Sequence, residues 1–152
     1  MLYVDIPALS DLRKLNDVRT DACVSIYVPT TPLTQDVEAS RIETGDLAKQ
    51  AYAQLEAGGL DKRRLALLAE QLDDLLDDDE FWRFQAHSLA IFATPDTIQT
   101  FRLANRLRST IEVADRFLLK PLMRAITFPN EAFVLAISEN DVRLIEVFPD
   151  LP

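Results

Sequence analysis

The sequence predicts an α+β fold. A mixed, mainly antiparallel sheet packs on an antiparallel pair of long helices as a two-layer sandwich, and a C-terminal β-hairpin follows. Three observations carry this. Apolar runs rich in β-branched and aromatic residues recur at 23–28, 88–93 and 98–103, bounded by turn-forming residues. Two long helical periodicities joined by Gly58-Gly59 stand between the first run and the second. Near the end, FVLAISENDVRLIEV (residues 133–147) places apolar halves on either side of Glu139-Asn140-Asp141, residue types that tolerate a tight turn.

Each element has its own reason. Residues 8–16 follow Pro7 and put Leu9, Leu12 and Leu15 on one side of a short helix. The strand Cys23–Val28 ends at Pro29-Thr30-Thr31-Pro32, which cannot continue a ladder. Asp36 is placed to cap a helix running to Ala57, with Val37, Ile42, Ala48, Ala51, Tyr52 and Leu55 as its apolar face. Gly45 weakens that helix by about 1 kcal/mol relative to Ala. Gly58-Gly59 stops it, and Asp61 caps a second helix over residues 61–78. There Leu65, Leu68, Ala69, Leu72, Leu75 and Leu76 form one amphipathic stripe. Strands follow at Ser88–Ala93 and Ile98–Leu103, a short extended piece at Thr110–Val113, and a buried helical turn or two within Phe117–Ile126.

Composition narrows the function. No apolar run approaches the roughly 18 residues of a membrane span. The start, MLYVDIPAL, lacks the basic region and long apolar core of a signal peptide, so a cytoplasmic protein without membrane contact is expected. Lone Cys23 lies in ACVSIYV and reads as a buried core thiol, and His87, before a strand, as structural or surface. One Cys and one His do not make an ordinary zinc site, and three glycines cannot supply a phosphate-cradling loop. No cofactor, metal or catalytic residue is therefore expected.

The net charge of −9 is unevenly spread. EQLDDLLDDDE, residues 70–80, holds seven acids and no base. Arg102, Arg106, Arg108, Arg116, Lys120 and Arg124 stand against Glu112 and Asp115, a local +4 over residues 102–124. An acidic protein does not bind nucleic acid through its mean field, so this segment is the candidate face for RNA contact, and its alternative is an ordinary solvated surface.

The order VSIYVPT (24–30), long helical pair, SLAIFAT (88–94), EVADRFLLKPLMRAI (112–126), FVLAISENDVRLIEV (133–147) resembles the N-terminal part of archaeal and eukaryotic class-one peptide-chain release factors. It more closely resembles the bacterial release-factor-like family related to them. The resemblance covers about residues 22–147 and implies several things. Residues 1–130 would be the N-terminal α+β domain, and residues 131–152 the first hairpin of a middle domain that lies outside this chain. The exposed hairpin edge would invite a homodimer. The catalytic Gly-Gly-Gln loop is not in this sequence, since Gly58-Gly59-Leu60 reads as a helix-terminating turn, so no peptidyl-tRNA hydrolysis is expected.

Residue by residue, the codon-reading Thr-Ala-Ser-Asn-Ile-Lys-Ser stretch falls on Glu38, Ala39, Ser40, Arg41, Ile42, Glu43 and Thr44. Only Ala39, Ser40 and Ile42 agree, and Glu38 and Glu43 oppose RNA phosphates. A second element, Tyr-x-Cys-x-x-x-Phe, falls on residues 111–117 and keeps only Phe117. The expected function is a non-catalytic module of a ribosome-associated release- or rescue-type translation factor. It would dock on ribosomal RNA through Arg41, Arg102, Arg106, Arg108 and Arg116. The alternative is a protein-interaction or stress-regulatory module without ribosome binding.

Overall fold

A computed structural model describes residues 3–5, 7–127, 132–138 and 140–147. The elements are α1 (Leu9–Asp17), β1 (Cys23–Pro29), a 3-10 turn (Thr34–Asp36), α2 (Val37–Ala57), α3 (Lys62–Asp77), α4 (Asp79–Arg83), β2 (Ser88–Ala93), β3 (Ile98–Leu103), β4 (Thr110–Ala114), α5 (Lys120–Thr127), β5 (Ala132–Ile137) and β6 (Val142–Val147). The fold is α+β, as predicted, with every strand pairing antiparallel. A four-stranded sheet runs β3-β2-β1-β4, and β5-β6 forms a separate two-stranded sheet.

The central strands β1 and β2 are buried on both faces, which is why their sequences are nearly continuous in apolar residues. Val24, Ile26 and Val28 of β1 and Leu89 and Ile91 of β2 face the α2–α3 pair, joined there by Leu55, Leu68, Leu72 and Trp82. Cys23, Tyr27, Ala90 and Phe92 point the other way, into a second cluster with Leu15 of α1, Leu122 of α5, and Phe117 from the segment before α5. The α2–α3 pair thus forms the predicted second layer, and α1 and α5 add cover to the opposite face. Phe92 is the hub of this second cluster, with ring centroids of Phe117 at 5.3 Å and Tyr27 at 5.8 Å.

The helix ends follow elementary rules. Gly58 ends α2, and Gly59 takes φ +81°, the left-handed conformation that costs glycine nothing. Leu60 N–H then reaches the Leu55 carbonyl and Gly59 N–H the Glu56 carbonyl, each at 3.0 Å, a Schellman closure. The Asp61 carboxylate accepts from Arg63 and Arg64 N–H, capping α3 as predicted. Asp36 does precede α2, but it lies in the 3-10 turn and its side chain caps nothing. Ile42, expected on the apolar face, is 58% exposed, and Ser40 and Thr44 are buried in its stead. The Thr44 hydroxyl is satisfied locally, donating from Oγ1 to the Ser40 carbonyl at 2.8 Å. Leu9 is likewise exposed, and Leu15 anchors α1. Cys23 is fully buried, and burial raises its thiol pKa, so the core reading of that residue holds. In the hairpin, the predicted strands are present, whereas Glu139 of the turn lies outside the described residues.

Candidate nucleic-acid interface

The five arginines expected to touch RNA go to different places. Arg41, on α2, donates from Nε to the Leu76 carbonyl at 2.5 Å and from Nη1 to the Asp79 carboxylate at 2.8 Å. It satisfies a terminal carbonyl of α3, one of the orphan acceptors at any helix end, and answers the acids crowded there. Its side chain is only 24% exposed. Arg102, on β3, is 20% exposed and pairs with Asp5 at 3.6 Å. Its guanidinium lies 4.6 Å from the Phe81 ring centroid. Arg116 is exposed and pairs with its neighbour Asp115 at 3.1 Å. That contact holds the Asp115 carboxyl below its ordinary range and raises Arg116. Arg41 and Arg102 therefore tie elements together.

Arg106 and Arg108 share one surface. Both are exposed, on the loop between β3 and β4, and they line a cleft of about 400 Å³ between that loop and α5. Across it stands Arg124, exposed on α5, which sequence reading counted only as part of the local charge. Leu107, Pro121 and Ala125 supply apolar wall, with Tyr27 at the base. No acidic residue lines the cleft among the described residues. The signal for Arg124 was present in the spacing: Pro121, Arg124 and Ala125 stand at i, i+3 and i+4, one face of a helix.

Buried side chains of the sheet hold both walls. The loop is fastened where Leu107 N–H donates to Ser88 Oγ at 2.7 Å. The approach to α5 is fastened where Leu118 N–H donates to Ser25 Oγ at 2.9 Å and Tyr27 Oη donates to the Leu118 carbonyl at 2.6 Å. Ser25 and Ser88 are fully buried, so these bonds also satisfy groups that could not reach water. Burial of Tyr27 pushes its phenol well above the ordinary range, so the hydroxyl stays a donor. Ser109, at the end of the loop, donates to Glu43 of α2.

The stretch Glu38–Thr44 presents Glu38, Ala39 and Ile42 to solvent, while Ser40 and Thr44 are buried and Arg41 and Glu43 are engaged as described. The groove beside it, about 310 Å³ between α2 and α3, is lined by Glu38, Asp46, Asp73 and Asp77 against Arg41 and Lys49, so acids outnumber bases there. In the second codon-reading element, Phe117 is a core residue and Ile111 and Val113 are half-buried against the helical layer.

Residues 129–152 match the family model of bacterial archaeo-eukaryotic release factor family 11. The chain is similar to these release-factor-like proteins. The match overlaps the hairpin motif Phe133–Val147, and the resemblance over earlier residues rests on the ordered motifs. Ser25 and Tyr27 of one of those motifs both bond to Leu118 of another. A solved structure titled "Archaeal protein" aligns with a TM-score of 0.49 and 14% identity, covering 93% of this chain and 44% of that one. The chain thus spans less than half the length of that structure. No curated protein matches it. Among the described residues no helix is long and apolar enough to cross a membrane.

Proposed function

We propose that this chain is a non-catalytic N-terminal module of a ribosome-associated, release- or rescue-type translation factor that docks on ribosomal RNA. The observation that carries the reading is the release-factor-like match at residues 129–152. The gathering of Arg106, Arg108 and Arg124 on one cleft, with no acid among its described lining residues, supports it, because a protein of net charge −9 needs a local positive surface to meet a phosphate backbone. The module contributes binding, and hydrolysis of peptidyl-tRNA is not among its activities.

The test is co-sedimentation with purified ribosomes at low and high salt. The expected result is binding that weakens with salt and is lost in R106E/R108E. Binding indifferent to both salt and that variant would overturn the assignment of this face, and no binding under any condition would overturn the reading.

A second reading has its own observation. On one face of the β5–β6 hairpin, Phe133, Leu135, Ile137, Val142 and Leu144 are 57–71% exposed. A two-stranded sheet is marginal alone, and an uncovered apolar hairpin is a pairing surface. We propose that this hairpin takes a second copy of the chain as a homodimer. In a protein-interaction module without ribosome binding, it would be the principal contact.

A further inference from the structure

The cleft beside α5 has features that a merely charged surface lacks. Its volume of about 400 Å³ falls within the roughly 300–1,000 Å³ typical of sites that enclose a small ligand. Arg106, Arg108 and Arg124 supply planar guanidinium forks, the geometry that matches phosphate oxygens two at a time. Leu107 and Pro121 supply apolar wall for a sugar edge or a base. The hydroxyl of Tyr27 is committed to the Leu118 carbonyl, so the ring closes the base of the cleft without offering a competing polar group. Both rims are anchored to buried serines, so the concavity exists before a ligand arrives.

We infer that this cleft seats a single unpaired ribonucleotide, its phosphate held by the arginines and its base against the Leu107–Pro121 wall. A duplex presents its phosphates on a convex surface with bases stacked inside, whereas a strand can splay one nucleotide into a concavity. The inference deepens the translation-factor reading and rests on it for the source of the strand. The shared ligand chemistry is a nucleoside phosphate.

The experiment is a titration of the 15N-labelled chain, followed by NMR, with four probes: a short single-stranded oligoribonucleotide, the matching blunt duplex, AMP and inorganic phosphate. The single strand should shift amides in 105–110 and 122–125 and bind at least about ten-fold more tightly than duplex or inorganic phosphate. The logarithm of affinity should fall with the logarithm of salt, with a slope of about −0.7 for each phosphate neutralised. R108E/R124E should lose about ten-fold or more, and R108K/R124K, which keeps charge without the planar fork, should fall between. AMP binding as tightly as the strand would support the site and make a free nucleotide its source. Shifts confined to other regions, equal affinity for duplex, or phosphate alone binding as well as the strand would each overturn the inference. Ribosome co-sedimentation separates the two claims. Ribosome binding without strand binding removes the cleft and keeps the reading, and strand binding without ribosome binding does the reverse.

Discussion

At the scale of single residues, two buried serines carry much of the site. Ser25 and Ser88 each accept a backbone N–H from a segment that borders the basic cleft. Ser88→Ala strands the Leu107 N–H in a place with little access to water, at about 1–3 kcal/mol. Urea unfolding should read that loss. Ribosome binding should also weaken at temperatures where the variant remains folded, because the loop bearing Arg106 and Arg108 is no longer fastened. Full binding by folded Ser88→Ala would show that the anchor shapes stability alone. None of this was legible from a serine within a strand run. SLAIFAT predicts burial, but the partner of its hydroxyl lies on a loop 19 residues further on. The same distance problem hid the roles of Arg41 and Arg102, whose bonding partners are 35 and 97 positions away. Charge type was readable in both. Whether the charge faces water or a helix end was not.

At the scale of elements, local chemistry was more legible. Apolar periodicity and turn signals located α2 and α3 to within about a residue, because Gly58-Gly59 act through their own backbone and the Asp61 carboxylate reaches N–H groups only two and three residues on. Two glycine substitutions test that account with opposite signs. Gly59 holds φ +81°, so Gly59→Ala places a Cβ in the left-handed region and should destabilise by about 1–2 kcal/mol. Gly45 lies inside α2, and an added Cβ would stand at an ordinary 3.7 Å from Leu76 Cδ1. Gly45→Ala should therefore stabilise by about 0.5–1 kcal/mol through helix propensity. Calorimetric midpoints moving in opposite directions would bear out both; a shared direction would mean that one environment has been misjudged. The acidic run was the element-scale surprise. Asp78 caps α4 by accepting from Phe81 N–H at 2.8 Å, and Asp79 pairs with Arg41. Part of what reads as a solvated charge run is a helix boundary, and Trp82 of α4 is buried with its indole N–H on the Leu75 carbonyl. Nothing in DDDEFWR signals that α4 is short, because its existence depends on the pocket that Trp82 fills.

At the scale of the whole molecule, charge and apolar surface are partitioned. The α2–α3 groove is rich in carboxylates, and the cleft at α5 is lined by arginines. The exposed hairpin is the other large-scale feature. Ile137 and Leu144 lie on its more exposed face, so I137K/L144K should abolish self-association without altering the four-stranded domain. Sedimentation equilibrium of the wild-type chain and this variant would check it, with a monomeric wild type sinking the homodimer.

The sequence by itself determined the fold class, the order of the elements apart from α4, the antiparallel helical pair, and the family that the ordered motifs resemble. These follow from periodicity and from residues acting within a turn or two of themselves. Only the tertiary structure decided which arginines share a surface. Arg41 and Arg102 were drawn into contacts with distant carbonyls, carboxylates and rings, while the loop after β3 and α5 brought Arg106, Arg108 and Arg124 to one cleft. The physical reason is that a charged side chain's role is set by the groups that surround it after folding, and those groups come from parts of the chain that no local pattern connects.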